Sequence, residues 1–321
     1  MATQNKIAVY ISVYNEEQYL DETIRSVLNQ TYTDFDLIIS NNWSTDSSDE
    51  IIENHRAKDE RIIVWRPDRF CKSLEHGRFI DDKLRMLNYD ATIFIGGHDL
   101  ISRQYVEILY NAYKSNPTAA VIVGSGFEID RDGKTTMEWP STPQLKGGYR
   151  QFRPLIVLHS LVHCLGIYGL WPKRIKDSVK IRHDCVGSDH LVFAELSLHG
   201  DIVVEPAAVI YSRRVKDASN MRAYFDKHIS SEIHAKSIVE DFEKQLEWVT
   251  HINNLAFEGH PDGIKNISLA CSLGCYFMRY GPTSLQIADG ALEMWLNSPS
   301  GVAIASQLNN IGDHFLKTPH K

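Results

Sequence analysis

The sequence predicts an α/β protein, with a mostly parallel sheet, helices on both of its faces, and a helical C-terminal region. Three observations carry that prediction. Over the first hundred or so residues, β-branched runs alternate with segments of helical periodicity. The connections between them are short, as strand–helix crossovers require. Beyond about residue 217 the apolar residues fall three to four apart, or two turns apart, and strand-like runs cease. The expected division is therefore 1–216 for the α/β part, with halves at 1–115 and 116–216, and 217–321 for the helical region.

Taken in order, IAVYISV (7–13) reads as a buried strand. Asn15 is then placed to cap a helix carrying Leu20, Ile24, Val27 and Leu28. DLIIS (36–40) is a second strand, ended by the polar run NNWSTDSSD, and the next helix starts near Asp46 or Ser47. RIIVW (61–65) is a third strand, followed by a helix through Leu74, Phe79, Leu84 and Leu87. TIFI (92–95) is a fourth and runs into GGHD; from Ser102 a helix presents Val106, Leu109 and Tyr113. AAVIVG and FEIDRDGKTTMEW then predict a strand and a hairpin turning at Asp132-Gly133. Residues 140–185 are mixed, 186–199 helical, and IVVEPAAVIYS (202–212) predicts edge strands broken at Pro206.

The composition narrows the function. The chain has 321 residues, 43% hydrophobic, 10% aromatic and 23% charged, which is ordinary globular usage. A net charge of −7 without a Lys/Arg block argues against a nucleic-acid partner. Five cysteines without a CxxC pair argue against a disulfide framework and favour a reducing, cytoplasmic setting. Acids follow the first apolar run at once, so it does not read as a signal peptide. The most apolar C-terminal window, 264–280, is interrupted by Lys265, Asn266 and Arg279, which leaves peripheral rather than spanning membrane contact.

Ligands of parallel sheets bind beyond the carboxyl ends of the strands, which puts Tyr14–Glu17, Asn41–Asp46 and Gly96–Asp99 on one rim. The ordered motifs Tyr14-Asn15-Glu16-Glu17, Ser26-Val27-Leu28-Asn29-Gln30-Thr31 and Asn41-Asn42-Trp43-Ser44-Thr45-Asp46 resemble the opening of a family 2 glycosyltransferase. IFIGGHDLIS resembles that family's strand followed by an acidic turn. GSDHLVFAELSLHG followed by IYSRR resembles the region of its catalytic acid. The likeness runs from about residue 7 to 214, and the last hundred residues have no counterpart. It implies the Rossmann-like GT-A fold and a bacterial-type, inverting transfer of sugar from a nucleoside diphosphate, UDP foremost. The halves 1–115 and 116–216 would then bind nucleotide and acceptor.

By that resemblance the nucleotide is held by Val13, Tyr14, Asn15, Glu17, Asn41, Asn42, Arg66 and His98, with Arg69 a lesser candidate beside Arg66. Asn41 stands where the family usually has Asp; it keeps a carbonyl acceptor and two donors, and a local Asn/Asp turn is the competing reading. Asp99 falls on the metal-binding acid, implying Mn²⁺ or Mg²⁺. His98 falls where the first acid usually sits and cannot supply its charge. Asp99 as a helix cap is the alternative. Asp189 falls on the general base, and equally suits the N-cap of its helix; Asp184 and His190 are its neighbours in that role. Arg213 and Arg214 offer forked donors to a pyrophosphate, or form a solvated pair.

Tyr168 and Trp171 could stack on a sugar, or fill core. His159 and His163 are spaced for one helical face, but HSLVH lacks the Glu of a zinc-hydrolase motif. Cys271 and Cys275, four apart, read as small buried hydrophobes. The expected partners are the sugar donor and a glycan or lipid-linked acceptor, with a homodimer through the C-terminal helices. A non-catalytic sugar-nucleotide-binding subunit is the second reading, motivated by Asn41 and His98; a dehydrogenase is disfavoured by the lack of GxGxxG after the first strand.

Overall fold

The computed structural model describes residues 7–160, 163–180, 185, 188–214, 235–266, 268–269 and 271–273. In chain order the elements begin β1 (Ile7–Val13), α1 (Leu20–Leu28), β2 (Phe35–Asn41), α2 (Ser48–Arg56), β3 (Ile62–Trp65), α3 (Ser73–Met86) and β4 (Ala91–Gly96). They continue with β5 (Leu100–Ile101), α4 (Tyr105–Ser115), β6 (Ala119–Ile129), β7 (Thr135–Glu138), α5 (Arg153–Ser160), β8 (Leu170–Pro172) and α6 (Lys173–Ser178). α7 (Ser188–Leu196), β9 (Asp201–Arg213) and α8 (Ala235–Ala256) complete the described set.

The chain divides into two compact units, one of residues 1–148, 160–183 and 199–219, the other of 149–159, 184–198 and 220–321. The second unit thus takes in two segments that the pattern along the chain assigns to the α/β part. The first unit holds one mixed sheet in the order β3-β2-β1-β4-β8-β6-β9-β5, with β7 paired to β6. β3, β2, β1 and β4 are parallel neighbours, as the alternation predicts. β8 then enters antiparallel to both β4 and β6. Ile7, Ala8, Val9, Ile11 and Val13 have no exposed surface, so β1 is covered on both faces, as a strand fed by crossover helices must be. α3 closes one face by packing Ile80 and Leu84 on Ala8, Ile38 and Trp65.

Two predicted breaks are absent. β6 is one continuous strand of eleven residues, and the hairpin turn joins it to β7. IVVEPAAVIYS lies within one strand, β9, flanked by β6 and, at its far end, by β5. Pro206 is accommodated because the β6 register passes from Val123↔Val204 to Ser125↔Val209, which leaves residues 205–208 in a bulge. Gly124 sits opposite this bulge, where a Cβ would collide with the Ala208 carbonyl oxygen.

In the second unit, α7 is buried all round, including Leu191, Val192, Phe193, Ala194, Glu195 and Leu196. α8 buries Leu246, Val249 and Ile252. The imidazole of His251 lies 3.5 Å from the Glu195 carboxylate, and Phe152 meets Phe257 edge-on. α5 ends at Ser160, so the helical pairing of His159 with His163 is not formed. Cys271 is exposed, against its expected burial, while Cys275 and Asp184 lie outside the described residues. Among the described residues no helix is long and apolar enough to cross a membrane.

Candidate functional site

The turns after β1 and β2 are laced to each other. The N–H groups of Asn15, Glu16 and Glu17 donate to Ser44 Oγ (3.1 Å), Ser48 Oγ (2.9 Å) and Asp46 Oδ2 (3.0 Å). In return, Thr45 N–H donates to Asn15 Oδ1 (2.8 Å) and Ser47 N–H to Glu17 Oε2 (2.9 Å). Asp46 Oδ1 also accepts the N–H of Ser48 at the start of α2. Asn15 adopts the left-handed backbone at φ 55, a conformation Asn tolerates, and α1 begins only at Leu20. Its role is thus the loop contact rather than the expected helix cap. The motif residues Asn15, Glu17, Ser44 and Asp46 build the rim by holding two loops together.

The Asn pair is likewise occupied. Asn42 is 3% exposed and clamps Cys71, donating to its carbonyl (2.8 Å) and accepting its N–H (2.9 Å). The Val13 carbonyl accepts Asn42 N–H at 2.9 Å. Asn41 is fully buried; its Oδ1 accepts Ser44 N–H, and its Nδ2 donates to Asp49 Oδ1. Asp49 also pairs with Arg66, so the carboxylate near Asn41 comes from α2. Arg69 pairs with Glu75. Above these groups stand exposed aromatic rings: Tyr14 packs on Phe70 with centroids 5.0 Å apart, and Trp43 donates its indole N–H to the Pro67 carbonyl.

Beneath the rim lies His76, 3% exposed, between two serines paired across β1 and β2. Its Nδ1 is 3.1 Å from Ser12 Oγ and its Nε2 2.8 Å from Ser40 Oγ. A neutral imidazole has one donor and one acceptor nitrogen, and hydroxyls serve either role. Burial pushes its pKa down to about 4.

At the end of β4, His98 Nδ1 is 3.0 Å from Glu16 Oε2, and the ring is about one-fifth exposed. Asp99 is turned inward, its Oδ1 3.9 Å from His98 Nε2. It is 1% exposed, its Oδ1 accepts the backbone N–H of Arg213 at 2.9 Å, and its Oδ2 lies under Gly96. Burial raises its carboxyl above the ordinary range, with the His98 imidazole and the Arg213 N–H pulling the other way. Tyr168 is half-buried, with its hydroxyl raised well above its ordinary value by burial of that group and then by Asp99. Trp171 donates its indole N–H to the Gly166 carbonyl.

Arg213 is also turned inward. Its guanidinium donates to the carbonyls of His98 (3.2 Å) and Arg131 (2.9 Å), bonds Glu22 Oε2 (2.8 Å) and stacks on Tyr19. Arg214 is exposed beside Glu128. Arg213 thus makes an internal tie between β9 and the β4 turn, whereas Arg214, the other arginine expected at a pyrophosphate, stays on the surface. Of the expected nucleotide residues, Tyr14, Arg66 and His98 present side chains at the rim. Glu16 and Trp43, within the expected rim segments but given no role, stand there too, and Asp49 and Phe70 belong there and went unnoticed. A carboxylate one helical turn past the strand-end run was the only signal for Asp49, and none marked Phe70.

Asp189 belongs to the second unit. It lies in the first turn of α7, about one-third exposed, with Oδ1 3.1 Å from His190 Nδ1.

The Glycosyl transferase family 2 model matches residues 8–168, half of the chain. The chain belongs to that family. It is 30% identical over 110 residues to glycosyltransferase GlyA of Streptococcus pneumoniae, covering 34% of this chain and 15% of that protein. It is 30% identical over 113 residues to the poly(ribitol-phosphate) beta-glucosyltransferase of Bacillus spizizenii, covering 35% of this chain and 18% of the relative. The chain thus spans less than a fifth of either relative's length. The crystal structure of S. aureus TarS residues 1–349 in complex with UDP-GlcNAc superposes with a TM-score of 0.66 at 17% identity, covering 91% of this chain and 79% of that one. The mixed sheet and its helices have the GT-A fold.

Proposed function

We propose that this chain is an inverting glycosyltransferase that moves a sugar from a nucleoside diphosphate, with UDP as the favoured carrier, to an acceptor hydroxyl in glycan or polysaccharide assembly. The observation that carries the reading is the convergence of the three strand-end clusters on one rim of the first unit. Backbone-laced loops there present Tyr14, Trp43 and Phe70 as faces for a planar base, with Asp49 and Arg66 beside them as acceptor and donor. Such a rim is rigid before the ligand arrives, which lowers the cost of binding.

Asp189 is the proposed general base. Its carboxylate takes the proton of the acceptor hydroxyl while that oxygen forms a bond to the anomeric carbon. The bond from that carbon to the diphosphate oxygen breaks on the opposite face, and the electron pair leaves with the nucleoside diphosphate. His190, 3.1 Å from Asp189, orients the carboxylate.

Nucleotide release measured over a panel of sugar nucleotides and glycan acceptors tests the reading. Turnover by the wild type and its loss in Asp189→Asn are expected. Full turnover by that variant would remove Asp189 from the chemistry. A second reading, a sugar-nucleotide-binding subunit, is favoured by the inward carboxylate of Asp99. Binding without release across the whole panel would select it.

A further inference from the structure

The resemblance to the family implies a divalent cation held by acids at the end of β4, and the residues here do not fit one. Mg²⁺ and Mn²⁺ take hard oxygen ligands, usually one or two carboxylates shared with substrate phosphates. The segment Gly96-Gly97-His98-Asp99 has a single acid, and it is 1% exposed with one oxygen on the Arg213 N–H. Two further contacts make this arrangement self-consistent. A Cβ at Gly96 would come within 2.5 Å of Asp99 Oδ2, so the inward carboxylate fills the space that a side chain at position 96 would need. A Cβ at Gly97 would come within 2.9 Å of Glu16 Cγ, so the Glu16 side chain lies over the glycine and reaches on to His98.

We infer that this site takes a nucleoside diphosphate without a resident divalent cation, the Glu16–His98 pair standing at the end of β4 where acids would hold one. The inference rests on the proposed nucleotide site and adds to it that the diphosphate binds there without a cation. Glu16 fixes the ring through Nδ1, as a carboxylate orients a histidine, and Nε2 lies 3.9 Å from the buried Asp99 Oδ1, so the polar groups here engage one another instead of forming an open set of oxygen ligands.

Titration calorimetry with UDP, GDP and CDP, in EDTA and then in excess Mn²⁺, tests this on the unmodified chain. The expected result is that the diphosphate that binds does so with affinities agreeing within about threefold in the two buffers. Tightening by Mn²⁺ beyond about threefold would overturn the inference and leave the nucleotide site standing. Binding of none of the three in either buffer would refute the nucleotide reading, and the inference with it.

Discussion

Acidification reaches the floor of the site through His76. The folded protein holds this ring neutral between Ser12 and Ser40, with its pKa lowered to about 4. In the unfolded chain it titrates near 6.5, so the unfolded state binds the proton first and stability falls as pH drops below that value. The loss is complete near pH 4, below which both states carry the proton. Between pH 7 and pH 5 these two values correspond to a loss of about 2 kcal/mol. Urea unfolding of the wild type and of His76→Asn at pH 7, 6 and 5 isolates this contribution. The variant is less stable at pH 7, but its stability should fall by about 2 kcal/mol less over the interval. Every other titratable group is common to the two proteins and cancels in the difference. Parallel pH profiles for the two proteins would refute the claim that His76 is held neutral.

Four further outcomes are expected. Lys176→Met removes the ammonium 2.9 Å from Asp81; burial alone would raise that carboxyl, but Lys176 and Arg85 together hold it far below its usual range. A loss of about 3–5 kcal/mol in chemical denaturation is expected, partly recovered in the Asp81→Asn/Lys176→Met double variant. The stability this cluster lends is present above the ordinary carboxylate range and is lost as pH falls beneath it. Gly124→Ala drives a methyl group at the Ala208 carbonyl and should destabilise by about 1–3 kcal/mol, read as a lowered melting temperature. Asp46→Ala removes acceptors from Glu17 and Ser48 and should cost about 1–3 kcal/mol while weakening nucleotide binding, both measurable by thermal shift with and without UDP. Asp189→Asn should lower nucleotide release about a hundredfold or more with UDP affinity unchanged, as loss of a general base does.

The strand–helix alternation made the parallel half of the sheet legible, because strands buried on both faces leave continuous β-branched runs such as residues 7–13 and 36–40. β5 was not legible: two residues have no period, and only pairing with β9 defines them. Pro206 misled for a related reason, since a proline in a bulge reads locally as a strand end. Position was read better than role. Asn41, Asn42, Asp99 and Arg213 do stand at the strand ends, but Asn41 bonds within its own turn and the start of α2, and the others meet partners distant in sequence, 114 residues away for Asp99 and Arg213. Residue type cannot tell a side chain that faces a ligand from one that ties two loops together. Of the aromatic rim, Phe70 was missed because it resembles a core residue until the fold exposes it.

The account stands or falls on whether the strand-end rim of the first unit is where the donor binds. Hydrogen exchange read peptide by peptide, with and without UDP-GlcNAc and its UDP, GDP and CDP counterparts, locates that surface. Slowed exchange in the peptides spanning 13–18, 41–49, 66–72 and 96–99 is the predicted result. Protection confined to other segments, with these four unchanged at saturating ligand, would contradict it.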